Sequence, residues 1–163
     1  MDEVTDIIQD SEDVARLVDN EWIVNGRLQL AAFALRRGET YISVNRVSAP
    51  SYNEDVANFI LVHPSYSKSK GYYNRAVLSV KDIRSIAVVI DGAVLSVDVE
   101  VEARSRNIAS HAGIFVRHND KNIKTGNQVV IKNQTLGISA DDILLDVRMS
   151  LLRIATLEET KIN

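Results

Sequence analysis

The chain has no cysteine and only two prolines, Pro50 and Pro64, among its 163 residues. Lacking thiols, it can form no disulfide, no thiolate nucleophile and no cysteine-based zinc or iron–sulfur site, an economy that fits a reducing compartment. The scarcity of proline, with no low-complexity tract and no internal repeat, leaves no linker at which to divide the chain, so residues 1–163 are read as one globular domain. No apolar run is long enough to cross a bilayer. The first residues, Met1-Asp2-Glu3-Val4-Thr5-Asp6, are acidic where a leader would be basic, and the expectation is a soluble, cytoplasmic protein with no membrane partner.

The strong chemical motifs are missing too. There is no phosphate-binding Gly-Lys-Ser/Thr loop, no Gly-x-Gly-x-x-Gly turn, no His-Glu-x-x-His and no Gly-x-Ser-x-Gly. The histidines His63, His111 and His118 lack ligand-like spacing, so the sequence calls for no metal, no cofactor and no assigned catalytic residue.

What remains is a chain of ordinary composition, 45% hydrophobic and 25% charged, with a net charge of −3. Ser11 is positioned to cap a helix whose stripe is Val14, Leu17 and Val18. Asn25-Gly26 predicts a tight turn. Leu28 to Arg37 reads as a short helix closed by Gly38. Thr40 to Val47 alternates as a strand, and Ser51-x-x-Glu54 predicts a capping box opening a helix through Val56, Phe59 and Ile60 that stops before Pro64.

Further along, Ala76 to Val80 and Ile86 to Ile90 read as buried strands joined by a turn at Lys81 to Arg84. Asp91-Gly92 predicts a hairpin, with Leu95, Val97, Val99 and Val101 on the dry face of the second arm. Strands at Gly113 to Val116 and Gln128 to Ile131 follow. Ser139 then caps a helix from Ala140 to about Leu157, with Ile143, Val147, Leu151 and Ile154 as its stripe and Leu145, Met149 and Leu152 widening it. The expected fold is α+β: a mainly antiparallel sheet flanked by helices, with the long C-terminal helix packed on it.

Candidate site residues come from charge and ring placement. Arg46 shares the Ile42/Val44 side of its strand, where a cation needs either a carboxylate, from Asp98, Glu100 or Glu102, or an anionic ligand. Tyr66 to Arg75 interleaves rings with cations, which suits either a solvated loop or a clamp for bases and phosphates. In Ser110-His111-Ala112-Gly113, small residues admit other groups close to the backbone, and His111 can act as acid, base or hydrogen-bond donor. The leading reading is a binding protein that captures a small anionic, nucleotide-like ligand with Arg46, Tyr72, Tyr73, Arg75, Arg104 and His111.

Two alternatives stand beside it. Met1 to Glu21 carries eight acids against Arg16 alone, while Arg104 to Lys132 is basic. That asymmetry suits a protein-interaction module, such as an inhibitor or antitoxin-like partner, or a homo-oligomer in which the acidic segment meets the basic section of another copy. With a pI near 5.6, duplex nucleic acid is an improbable partner. Third, the order Arg46, Tyr72-Tyr73, then Glu100 or Glu102 is similar to the Arg–Tyr–Glu order of small ADP-ribosyltransferase-like domains, and the resemblance implies an enzyme acting on NAD.

Overall fold

The computed structural model describes residues 7–35, 38–104, 107–126, 128–129 and 138–163. Its centre is one antiparallel sheet built from β1 (Asp13–Val18), β2 (Ile42–Arg46), β3 (Tyr72–Ser79), β4 (Asp98–Ala103), β5 (His111–His118) and β6 (Thr156–Lys161). Gly113 of β5 pairs with both Ser43 and Glu102, and Arg75 of β3 pairs with both Leu17 and Glu158. The strands therefore run β4-β5-β2-β1-β3-β6 across the sheet. Two-residue strands, Ser67–Lys68 on β3 and Lys121–Asn122 on β5, extend it.

The two sides of this sheet are packed differently. On the lower side, α2 (Val80–Arg84) and α3 (Ala140–Ile154) bury Val80, Ile83, Ile143, Val147 and Leu151 against Val14, Val18, Val44, Leu78 and Ile114. On the upper side, α1 (Tyr52–Val62) sets Tyr52, Val56 and Ile60 on Ala15, Leu17 and Tyr73. That upper cluster contains no residue of β2, β4 or β5. α1 thus covers half of the upper side, and among the described residues no helix packs on the other half, where Phe115 is nonetheless buried.

The α+β class, the antiparallel sheet and the packed C-terminal helix agree with the sequence reading, and the turns at Asn25-Gly26 and Asp91-Gly92 both form. Each pair has positive φ at both residues, 52° and 74° at the first and 51° and 77° at the second, the signature of a type I′ hairpin.

Several elements differ. The helix expected after Ser11 is instead β1, the sheet's inner strand. Val14, Ala15, Leu17 and Val18 are all buried because this strand has packing on both sides, and such continuous burial mimics a helical stripe. The Leu28–Arg37 helix reduces to one 3₁₀ turn, Leu30–Phe33, with Ala32 and Phe33 buried; Arg36 and Arg37 lie outside the described residues. The turn at Lys81 to Arg84 is the helix α2, and of Ile86 to Ile90 only Val89–Ile90 is a strand.

The capping box is also altered. Ser51 makes no side-chain bond to the helix backbone; its hydroxyl donates to Asp55 at 2.8 Å. At the other end, α3 stops at Ile154 and the chain turns into β6, an edge strand. Leu145 and Met149, expected to widen its buried stripe, are exposed. Gln128–Val129 pairs with Ile138–Ser139, and the rest of the strand expected there lies outside the described residues.

Candidate functional site

The six site residues expected from sequence do not converge. Arg46 is where alternation put it, on the lower side and only 11% exposed, but its partner is Glu12, held through Nε and Nη2 at 2.9 Å each. None of Asp98, Glu100 or Glu102 reaches it. Burial alone would raise the Glu12 carboxyl; hydrogen bonds from the Gln9 N–H, Arg46 and Ser48 outweigh that and hold it below the usual carboxylate range.

Tyr73 and Arg75 sit under α1. The Tyr52 and Tyr73 hydroxyls are 2.8 Å apart, Arg75 donates to the Tyr52 hydroxyl at 3.0 Å, and Arg75 also pairs with Glu158 at 3.0 Å. Burial raises the Tyr73 phenol well above its ordinary value. Tyr72 faces the opposite side of the sheet from Tyr73. The Tyr66–Arg75 segment is not a free loop: Tyr66 meets Trp22 and Phe59 edge-on, and Lys68 pairs with Glu159. From residue 7 onward the acidic segment is likewise committed, with Asp10 on Arg84 and Asp19 accepting from Ser65. Its residues Asp13–Val18 form the strand β1 within the sheet.

Arg104 and His111 do come together, on the half of the upper side that α1 does not cover. Gly113 is the reason. A Cβ there would lie 2.7 Å from Cδ2 of Tyr41 and 2.9 Å from the Phe115 ring, so glycine alone lets Tyr41 lie down on the sheet. The Tyr41 ring centre is 5.2 Å from Phe115 and 5.9 Å from His111. Over these rings stand two guanidinium groups: Arg104, with Cζ 5.0 Å from the Tyr41 centre and 5.9 Å from Phe115, and Arg117, 4.4 Å from Phe115.

The two arginines differ in what else they hold. Arg117 pairs with Glu102 and donates to Asn122 at 2.8 Å, so its charge is spent within the fold. Arg104 is exposed, and among the described residues no carboxylate pairs with it.

At the edge of this shelf Nε2 of His111 lies 2.8 Å from Oγ of Ser43. Burial lowers the imidazole's pKa from 6.5, a backbone hydrogen bond at Arg104 works in the opposite direction, and the Arg104 charge lowers it again; the net shift is downward. The ring is therefore neutral near pH 7. The Arg104 N–H donates to the His111 carbonyl at 2.8 Å, which holds the two residues side by side across β4 and β5. In the neutral ring the tautomer sets which member of the Nε2–Ser43 pair donates and which accepts. Beside it, Asn45 donates to the buried Ser110 hydroxyl at 2.8 Å, and the Ser110 N–H donates to Asp55 at 3.0 Å, which ties the turn before β5 to the first turn of α1.

The Arg–Tyr–Glu order gathers no common site. Arg46 is on the lower side and Tyr73 under α1, while Glu100 pairs with Arg84 and Glu102 with Arg117. Tyr41, Ser43 and Phe115 were not singled out from sequence; Gly113 was the one local signal that another group approaches there. Comparison with known proteins finds no matching family model, no similar curated protein and no similar solved structure. Among the described residues no helix is long and apolar enough to cross a membrane.

Proposed function

We propose that this chain binds a small anionic, ring-bearing ligand, nucleotide-like in chemistry, on the shelf formed by Tyr41, Phe115, Arg104 and His111. One observation carries the reading: Arg104 is held over two rings, exposed and without a carboxylate partner among the described residues, whereas Arg46, Arg75, Arg84 and Arg117 each have one. A guanidinium in that position offers its donor fork to a phosphate or carboxylate, and the partly exposed Tyr41 ring beside it, seated on the buried Phe115, offers an aromatic contact. His111 and Ser43 add a neutral donor–acceptor pair at the edge, suited to a ribose-like hydroxyl. Arg46, Tyr73 and Arg75, expected in the same pocket, are engaged within the fold, and Tyr72 faces the other side of the sheet from Tyr73.

The test is calorimetric titration with adenosine and guanosine monophosphates, with inorganic phosphate as the ringless control. Wild type binds at least one mononucleotide more tightly than phosphate. Arg104→Ala weakens it about tenfold or more, equivalent to about 1.4 kcal/mol, without lowering the melting temperature. Equal binding by the variant, or no binding of any mononucleotide by wild type, removes the proposal.

A further inference from the structure

On the lower side of the sheet, away from the shelf, α3 carries apolar side chains on two faces. The inner face, with Ile143, Val147 and Leu151, is buried in the core. The outer face holds Asp142, Leu145, Met149 and Arg153, spaced by three, four and four residues so that they share one side of the helix, and all four are exposed. Leu145 is 41% and Met149 50% exposed, where the outward side of a surface helix is ordinarily polar. The apolar surface continues beyond the helix. Asp146 accepts from the Val89 N–H at 3.2 Å, which holds the hairpin of Val89–Ile90 and Ala93–Val94 beside α3. On that hairpin Val89 and Val94 are cross-strand partners, 43% and 72% exposed. One exposed apolar side chain is ordinary on a protein surface; four on two adjoining elements mark an interaction surface.

The charges at its two ends name the occupant. Asp142 and Arg153 flank the Leu145/Met149 pair, and among the described residues neither forms a salt bridge. Acidic at one end, apolar in the middle and basic at the other, the face is complementary to itself turned end for end. In an antiparallel pairing of two helices about a two-fold axis at the level of Val147, Leu145 of one copy meets the partner's Met149. Asp142 then faces the partner's Arg153, at both ends alike, because the mid-point of 142 and 153 lies only half a residue, about 0.75 Å, beyond that of 145 and 149.

We infer that the outer face of α3 is the interface of a symmetric homodimer: Leu145 and Met149 of the two copies pack against each other, the Val89/Val94 hairpin flanks them, and two Asp142–Arg153 pairs set the antiparallel register. The interface is independent of the upper shelf.

Sedimentation velocity over a concentration series reaching about 100 μM, above the micromolar Kd of the weaker interfaces, tests it. Wild type is mainly dimer at the top of the series. Leu145→Gln weakens the dimer at least tenfold. Asp142→Arg and Arg153→Asp, each a change at an exposed side chain, do the same, because either homodimer sets like charges together at both ends. Mixed in equal amounts, these two charge variants dimerise with each other as wild type does, since the mixed dimer has one opposite-charge pair at each end; that recovery also shows that both are folded. Arg104→Ala dimerises as wild type does, so loss of the shelf reading leaves this one standing. A wild type that stays monomeric, a dimer unmoved by Leu145→Gln or by either charge variant, or a mixture that stays monomeric overturns the inference.

Discussion

The two halves of the sheet's upper side hold the same kinds of residue in opposite circumstances. Under α1, Tyr52, Tyr73, Arg75 and Glu158 form a closed set in which ring, hydroxyl, guanidinium and carboxylate answer one another. Beyond α1, Tyr41, Phe115, Arg104 and His111 form a set that is open at one member: Phe115 is buried beneath the tilted Tyr41 ring, but Arg104 is exposed and has no carboxylate among the described residues. A basic-aromatic cluster in a sequence therefore marks two different things. Where a helix covers it, the polar groups must be satisfied internally or burial becomes costly. Beyond the helix, the rings still pack but the guanidinium of Arg104 is left facing outward.

The sharpest way to break this comparison is to make one substitution in both halves. Arg75→Ala strips the Tyr52 hydroxyl, buried against Tyr73, of its charged donor and Glu158 of its partner, and is expected to cost about 2–3 kcal/mol of unfolding free energy, in the range for a hydrogen bond to a charged group. Arg104→Ala is expected to cost within about 0.5 kcal/mol, as exposed substitutions usually do. Urea unfolding of the two variants beside wild type decides it. Similar losses would mean that Arg104 serves the fold as Arg75 does.

The next largest effect is at Gly113. Gly113→Ala puts a methyl group where the Tyr41 ring edge lies, so the ring must rise from the sheet. The expected cost is about 2 kcal/mol, the ordinary penalty for overpacking. Near-ultraviolet dichroism should change with it, because the Tyr41–Phe115 pair is pulled apart. A fully stable variant with an unchanged aromatic signal would show that glycine is not what seats the shelf.

How much of this was legible beforehand follows from what each segment's neighbours contribute. Asn25-Gly26, Asp91-Gly92 and the Ile143/Val147/Leu151 stripe are local matters of backbone freedom and period, and they formed as expected. β1 was misread because a strand buried on both sides loses its two-residue alternation; Val14, Leu17 and Val18 then fit a helical spacing by coincidence. The sequence pattern carries α3 to about Leu157, past its end at Ile154, because Ala155 and Leu157 favour helices; pairing of Thr156–Lys161 with the edge of β3 overrides that propensity. Arg46 was correctly read as a cation on a buried side, but Glu12 lies 34 residues upstream and nothing local names it. Within the candidate site, His111 was found from its small neighbours, while Ser43, 68 residues away, joins it only through the β2–β5 register.

That register has a consequence measurable by pH. His111 has its folded pKa depressed, chiefly by burial, so the folded state resists protonation that the unfolded chain accepts near 6.5. Unfolded molecules then bind more protons as the pH falls, and by linkage stability declines. The contribution is fully present above about pH 6.5 and is lost below it. His111→Gln keeps a hydrogen-bonding side chain but cannot titrate. Urea unfolding at pH 7.5 and pH 5.5 should show a smaller acid loss for His111→Gln than for wild type, whereas Arg75→Ala, in the covered half, should leave the acid loss unchanged. The effect is the smallest of the three, since the side chain is only partly buried, and its sign is the informative part. A wild type that gained stability on acidification, with the gain abolished in His111→Gln, would mean that the imidazole is charged in the folded protein. Ser43 would then accept a hydrogen bond from Nε2, and the edge of the shelf would present a second cation beside Arg104.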